Sequence, residues 1–472
     1  MNLTIPFDNT YVSLPENFYA KLSATKVSDP KVIAFNRQLS DLLGITQAED
    51  EEIAEVFSGN VACDGSQPLA QLYAGHQFGQ YNPQLGDGRA LLLGETVGTD
   101  GVRRDIQLKG SGPTPFSRGA DGRAWLGPVL REFVISEAMH SLNIPTTRAL
   151  AAVLTGEKVV RDKVYPGAVL TRVAKSHLRV GTFQVFSERR DFKSLRKLLD
   201  YAIERHYPNA NGPLGFLKCV IKEQATLIPK WMGIGFIHGV MNTDNCQIAG
   251  ETIDYGPCAF IDEYHPMQVF SSIDQFGRYS FAKQPDIIVW NMAQLATALL
   301  PLESDADQAI KDFTIVVNNM QTQIRENWLK IFAAKIGISD PKPKDEWLIK
   351  ELLTLMEKEK SDFTNTFFSL ITGETQNLFS KPEDFKAWER KWKVRISKER
   401  KVPETLRKAN PVLIPRNHRI EEMINAALKG DFSLFNRLLV AYRQPFEENP
   451  RFVDLKSAPN ASEIVHSTFC GT

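Results

Sequence analysis

Cysteine is scarce and unpaired in this sequence. Five cysteines (Cys63, Cys219, Cys246, Cys258 and Cys470) are spread over 472 residues, none in a CxxC pair or at zinc-ligand spacing. That excludes a zinc ribbon or a disulfide framework and leaves reduced, mostly buried thiols as the expectation. Cys470, close to the C-terminus, is the exception, the thiol best placed for redox exchange. An excess of either charge is also missing, since 56 Lys and Arg balance 56 Asp and Glu. General nucleic-acid binders and membrane-surface proteins usually carry a strong basic field, so both classes are disfavoured. Long apolar runs are absent too. The longest apolar region, 227–240, is interrupted by Pro229, Lys230 and His238 and is too short to span a bilayer. The opening MNLTIPFDNTYVSLPENF has neither the basic start and apolar core of a secretory signal nor the Arg/Ser-rich character of a transit peptide. A soluble, cytoplasmic, monomeric protein without nucleic-acid or membrane partners is expected.

What the sequence does contain is the material of a mixed α+β fold. Hydrophobic (43%) and charged (24%) contents are those of ordinary globular proteins, and there is no internal repeat. Residues 30–43 show helical spacing. Turn-rich sequence from 75 to 127 encloses apolar runs at 90–93 and 105–108 that read as strands. A helix is predicted over 128–142, opened by Pro128, with strands at 148–154 and 168–173. Residues 192–205 read as an amphipathic helix and 214–236 as a long buried one. A hairpin is expected around Gly250, pairing 246–249 with 251–253. From about 287 the pattern is helical. The stretch 386–408 carries ten basic and three acidic residues with Trp388 and Trp392 one turn apart, which reads as a solvated helix with an apolar seam rather than a nucleic-acid site. A last helical pair is expected around 419–443.

The chemistry concentrates in a few short motifs. His238-Gly-Val240-Met-Asn-Thr-Asp244-Asn245, followed by Asp254-Tyr255-Gly256, has the order and spacing of the catalytic and metal loops of protein kinases. The catalytic aspartate of that pattern is replaced by Val240, and a carboxylate reappears at Asp244. Asp244 is the candidate proton acceptor, with a local turn cap as the bland alternative. Asn245 and Asp254 offer the hard oxygen donors that Mg²⁺ or Mn²⁺ takes beside nucleotide phosphates. Gly86-Asp87-Gly88-Arg89 precedes a strand as a phosphate-covering loop would, although most such stretches are plain turns. Lys109 ends a strand, and Glu132 lies on the following helix, where it could pair with it. Taken singly each reads as a surface residue; their order ahead of the later loops favours the functional reading. Arg118, Arg123, Arg172 and Arg179, in segments rich in Gly, Ser and Thr, could grip phosphates bidentately or serve as surface ion pairs.

Together, QLYAGHQFGQYNPQLGDGRA, LKGSGPTPFSRGADGRAWL, LREFVISEAMHSLNIPTTRAL, TRVAKSHLRVGTFQ, HGVMNTDN and DYGPCAF closely resemble the selenoprotein O family, also called the YdiU type. The likeness runs from FDNTY to the C-terminal cysteine. It implies a protein-kinase-like two-lobed fold with a family-specific helical C-terminal extension. The expected parts are an N-terminal extension plus small lobe over 1–180, a large-lobe core over 181–300 and helices over 301–472. The resemblance further implies ATP bound in a flipped orientation, and transfer of AMP to Ser, Thr or Tyr hydroxyls of protein substrates with release of pyrophosphate. UMP transfer from UTP with Mn²⁺ is a second capacity linked to bacterial members. By the same resemblance Gly86, Gly88, Arg89, Lys109, Asp121, Gly122, Arg172, Arg179 and Asp254 contact the nucleotide, Glu132 orients Lys109, Asp244 accepts the proton, and Asn245 and Asp254 hold the metal. Some members carry selenocysteine where this chain has Cys470, so a redox role here would rest on the less reactive thiol, with Cys258 as its expected partner. A γ-phosphate-transferring kinase and an inactive ATP-binding pseudokinase are the alternatives.

Overall fold

The computed structural model describes residues 2–469. Twelve short strands are β1 (Tyr19–Lys21), β2 (Lys31–Phe35), β3 (Leu69–Gln71), β4 (Gly75–Gln77), β5 (Gln80–Asn82), β6 (Ala90–Val97), β7 (Arg103–Lys109), β8 (Ala124–Trp125), β9 (Arg148–Val160), β10 (Val164–Ala174), β11 (Phe236–Ile237) and β12 (Ala259–Phe260). Eight of them form one antiparallel sheet, ordered β1-β3-β6-β7-β10-β9-β2 with β8 also on β10, while β4–β5 and β11–β12 are separate pairs.

The sheet is covered on both faces, and side-chain alternation decides which residue goes where. Leu92, Ala152 and Leu170 pack with Phe133 and Val134 of α3 (Leu126–Ser141). Their neighbours Leu93, Val153 and Val169 pack instead with Leu39, Ile53 and Phe57 from α1 (Arg37–Leu42) and α2 (Asp50–Ser58). Helix α2 opens on Asp50, Glu51 and Glu52 and closes at left-handed Gly59, so charge and cap both suit its dipole. The predicted strands at 90–93, 105–108, 148–154 and 168–173 are all present, as is the helix at 128–142. It begins two residues ahead of Pro128, which therefore sits in the first turn, where a missing N–H costs nothing.

Two expectations need correction. Only the second half of 30–43 is helical. Lys31–Phe35 pairs along β9 as an edge strand, and Asn36 then caps α1 by accepting from the Leu39 N–H. The run KVIAF is β-branched and aromatic, and an available sheet edge outweighs its helical spacing. The expected hairpin around Gly250 is not formed either. Gly250 does make the turn, donating to the Gln247 carbonyl, but Gln247 bridges to Arg179 and Thr252 to Thr146. The two arms pair outward because the neighbouring chain offers better partners.

The remaining helices are α4 (Val180–Glu188), α5 (Phe192–His206), α6 (Gly212–Gly233), α7 (Gln284–Leu299), α8 (Ala306–Lys335), α9 (Glu346–Glu359), α10 (Phe363–Thr372), α11 (Pro382–Ile396), α12 (Val402–Ala409), α13 (Asn417–Ala427) and α14 (Ser433–Ala441). Helix α6 stops at Gly233, so 236–237 is strand rather than the predicted helix end. In α11 the two tryptophans stack at 5.5 Å and donate to the Leu348 and Ile336 carbonyls, while Lys391 and Arg395 pair with Glu351 and Asp345. The seam is core and the charges are locally answered, as expected of a solvated helix. Among the described residues no helix is long and apolar enough to cross a membrane.

The end of the chain returns to the middle of the molecule. The Asn417 side chain exchanges two hydrogen bonds with the Phe260 backbone, at 2.7 and 3.0 Å. Fully buried Arg416 binds both Asp262 (2.6 Å) and Asp362 (2.8 Å). Burial pushes Asp262 up to about 6 despite Arg416. Removing the guanidinium leaves two partly buried carboxylates without their shared cation, so Arg416→Ala should cost about 3 kcal/mol in urea denaturation at pH 7. The loss should shrink at pH 5, where Asp262 takes up its proton.

Candidate active site

A cleft of about 610 Å³ opens where the ends of β6, β7 and β10 meet the chain between Val240 and Gly256. Strand alternation builds its floor. Ile106 and Leu108 turn to the face covered by α1 and α2, which leaves Gln107 and Lys109 on the other, where Lys109 lines the cleft and Gln107 donates to Asp87. On neighbouring β10, Arg172 is in register with Gln107. Lys109 Nζ lies 2.7 Å from Glu132 on α3 and 2.8 Å from Asp254. Arg172 reaches the same two carboxylates, at 2.7 and 2.6 Å. Each cation therefore bridges both anions. Burial opposes ionisation of Asp254, but Arg172, Lys109 and Arg179 outweigh it and hold the carboxyl well below the usual range. Glu132 is lowered in the same way by Arg172 and Lys109. Asp254 sits at φ +61°, in the left-handed region that a non-glycine residue enters only when its surroundings compel it.

Arg179, the residue before α4, completes the cationic side. Its guanidinium donates to the Asp244 carbonyl (2.7 Å), lies 4.4 Å from the Tyr73 ring centre, and stands 3.6 Å from Asp254. Asp244 itself lies on the short 3₁₀ turn Thr243–Asn245. One carboxylate oxygen accepts from Gln77 at 3.1 Å, and Oδ1 has no partner although it is buried. Burial is the main cause that pushes this group up to about 6, and the Gln77 bond only partly offsets it.

The β4–β5 hairpin holds the turn in place. The His76 N–H donates to Thr243, and the Phe78 N–H to Asn242, which also accepts from Tyr279 at 2.6 Å. Gly75 is required there, since a Cβ would stand 2.6 Å from Asp244 Oδ1. Asn245 donates its side-chain NH₂ to the Val240 carbonyl, which leaves its carbonyl oxygen for the cleft. His238 stays out of the cleft, buried and bonded to the Ile253 carbonyl, so it braces the two loops against each other.

The opposite wall is formed by two glycine-bearing turns. Gly86, Gly88 and Arg89 line it, packed against Phe116 and Ser117. Asp121 is gripped by both terminal nitrogens of Arg161, at 2.8 and 2.9 Å. Gly122, at φ +65°, passes so close to the Gly112 carbonyl that a Cβ would lie 2.1 Å from it. Arg118 and Arg89 reach the cleft with no carboxylate partner among the described residues, whereas Arg123 is tied to Glu157.

All the sequence-predicted nucleotide and metal residues thus line one cleft, with Glu132 directly behind it. Cys258 does not. It is buried beneath the loop, and burial pushes its thiol up to about 11. Its expected partner Cys470 lies outside the described residues. Three contributors were not anticipated. Gln77 and Tyr73 lie inside the motif QLYAGHQFGQYNPQLGDGRA that carries the family resemblance, but neither was given a role of its own. Asp87 lay within the glycine turn already singled out. Its carboxylate is buried, bonded to Gln71 and Gln107, and 3.9 Å from Arg179, with Oδ1 unpartnered.

A family model described as "Protein adenylyltransferase SelO" matches residues 1–443. Proteins named "Protein nucleotidyltransferase YdiU" from Ruegeria pomeroyi and Roseobacter denitrificans are 57% and 58% identical to this chain over the full length of both partners. The protein of the same name from Bradyrhizobium is 50% identical, again end to end. The chain belongs to the SelO family of nucleotidyltransferases.

Proposed function

We propose that this protein is a protein adenylyltransferase, moving AMP from ATP to a Ser, Thr or Tyr hydroxyl with release of pyrophosphate. It would work on a kinase-like frame, the sheet with Lys109 and Glu132 forming one lobe and the Asp244 and Asp254 loops belonging to the other. The carrying observation is Asp244, a buried carboxylate with one unpartnered oxygen, lining the same cleft as Lys109 and Arg172 and held beside Arg179. The apolar Val240 stands where γ-phosphoryl transfer calls for a carboxylate, which counts against an ordinary kinase. The concentration of charge counts against an inert nucleotide-binding module.

In this reading the acceptor hydroxyl gives its proton to the Asp244 carboxylate as its oxygen bonds to the α-phosphorus. The bond from that phosphorus to the bridging oxygen breaks, and the electron pair leaves on pyrophosphate. Arg172, Arg179 and Arg89 neutralise the phosphate charge, and the turns at Gly86, Gly88, Asp121 and Gly122 let backbone approach the nucleotide. Glu132 keeps Lys109 extended into the cleft. Asp254 Oδ2 and the Asn245 carbonyl fit a Mg²⁺ or Mn²⁺ ion completed by phosphate oxygens, which would supply further charge neutralisation when bound. These phosphate-facing groups are blind to the base, so UTP is chemically competent in the same step. A redox role for Cys258 with Cys470 remains compatible with this reading as a separate control.

ATP labelled on the α- or γ-phosphorus separates the readings. Protein label from the α position alone is expected; label from γ alone would identify a kinase, and none from either a binding module. Asp244→Asn should lower turnover by about 10²–10⁴-fold while nucleotide still binds, and Asp254→Ala should abolish transfer. Turnover should rise with pH through about 6 as Asp244 loses its proton.

The same group has a stability signature. Its folded-state pKa lies above the unfolded value, so its stabilising contribution is full at low pH and is lost as pH rises through about 6. Asp244→Asn should therefore raise Tm at pH 7 and leave it unchanged at pH 4, as followed by calorimetry.

A further inference from the structure

Next to the cleft lies a second cavity of about 480 Å³, lined by Phe78, Ile273, Phe276, Arg278 and Lys283. Phe78 and Ile273 line both spaces, so groove and cleft adjoin. The link to the reacting groups is short. Gln77, bonded to Asp244, immediately precedes Phe78, and Gly79 packs on the Arg278 guanidinium.

The groove has an apolar rim that the loop cannot tuck away. Phe276 is 92% exposed and Ile273 52%. Asp274 fixes the loop, accepting from the Arg278 and Tyr279 N–H groups, both at 2.8 Å. The segment between is closed around its own aspartate, and Phe276 is held outward at the tip. An aromatic ring represents a large apolar area, and one held in water beside a polar cleft gains most when a partner covers it.

The groove carries two cations, Arg278 and Lys283, against one carboxylate, Asp274. The Arg278 guanidinium lies 4.9 Å from the Trp290 ring centre, and Lys283 donates to the Gly277 carbonyl. Neither meets a carboxylate among the described residues. Asp274, the acid lining the groove, has both oxygens taken by backbone N–H groups. A ligand that fits must bring an apolar side chain and a negative charge.

We propose that this groove seats an extended segment of the acceptor protein, an apolar residue packing on Phe276 and Ile273 and an acidic residue facing Arg278, a few residues from the hydroxyl presented to Asp244. This rests on the protein-modifying reading above and gives it a substrate class: hydroxyls flanked by acidic and apolar residues.

The test uses the full chain, α-labelled ATP and synthetic peptides carrying a single Ser, Thr or Tyr, with Leu and Glu at successive flanking positions or Gly and Lys in their place. Acidic–apolar peptides should be modified with kcat/KM about 10-fold or more above the basic ones, mainly through KM. Phe276→Ala should raise KM for the peptide, and Arg278→Glu should shift the preference to lysine-flanked peptides. Both should bind a fluorescent ATP analogue as the parent does, which separates docking from damage to the cleft. Equal use of all peptides, unchanged preference in Arg278→Glu, or labelling of whole proteins but of no peptide would overturn the groove and leave nucleotidyl transfer standing. No α-label on any peptide or protein would remove both.

Discussion

Four side chains, Lys109, Glu132, Arg172 and Asp254, share a single knot of charge, in which the cations hold both carboxylates ionised. Such a knot is costly to assemble, since every member loses water and only close, well-directed partners repay it. Here each cation meets both carboxylates within about 2.8 Å. The members come from a strand end, a helix, a neighbouring strand and a loop, so the knot forms only when the sheet, α3 and the Asp254 loop are all in place. It therefore links the fold to the site. The strained backbone at Asp254 is tolerated because three cations hold its carboxylate where it is.

The two aspartates of the cleft are set apart by their surroundings rather than by their chemistry. Asp254 is ringed by cations and stays charged. Asp244 has one amide donor and an otherwise unanswered burial, so it holds its proton more tightly. A site that needs one permanent anion and one group able to take a proton obtains both from the same residue type.

Much of this was legible in the sequence, for identifiable reasons. Strands such as 90–93 and 168–173 read as largely apolar runs because both faces of the sheet are filled. The loops from His238 to Gly256 follow a spacing that phosphate chemistry constrains, so Asp244, Asn245 and Asp254 could be named in advance. What escaped were relations across long separations. Gln77 meets Asp244 only in the folded chain, and the motif that contains it does not say what its amide binds. Asp87 hid inside a motif read for its glycines. Residues 31–35 looked helical because periodicity ignores a waiting sheet edge, and the arms around Gly250 found partners that no local pattern could announce.

The clasp of Arg416 and Asn417 on the segment just beyond Asp254 bears on how the enzyme is made. The segment they secure, with Phe260 and Asp262, leaves the ribosome well before its clasp, which lies 154 and 157 residues further on. Until residues 416 and 417 follow, that segment lacks the side chains that satisfy its backbone and one of its acids. The nascent protein thus holds the loops of the cleft without their final brace, and completion of the site waits on residues made long after them.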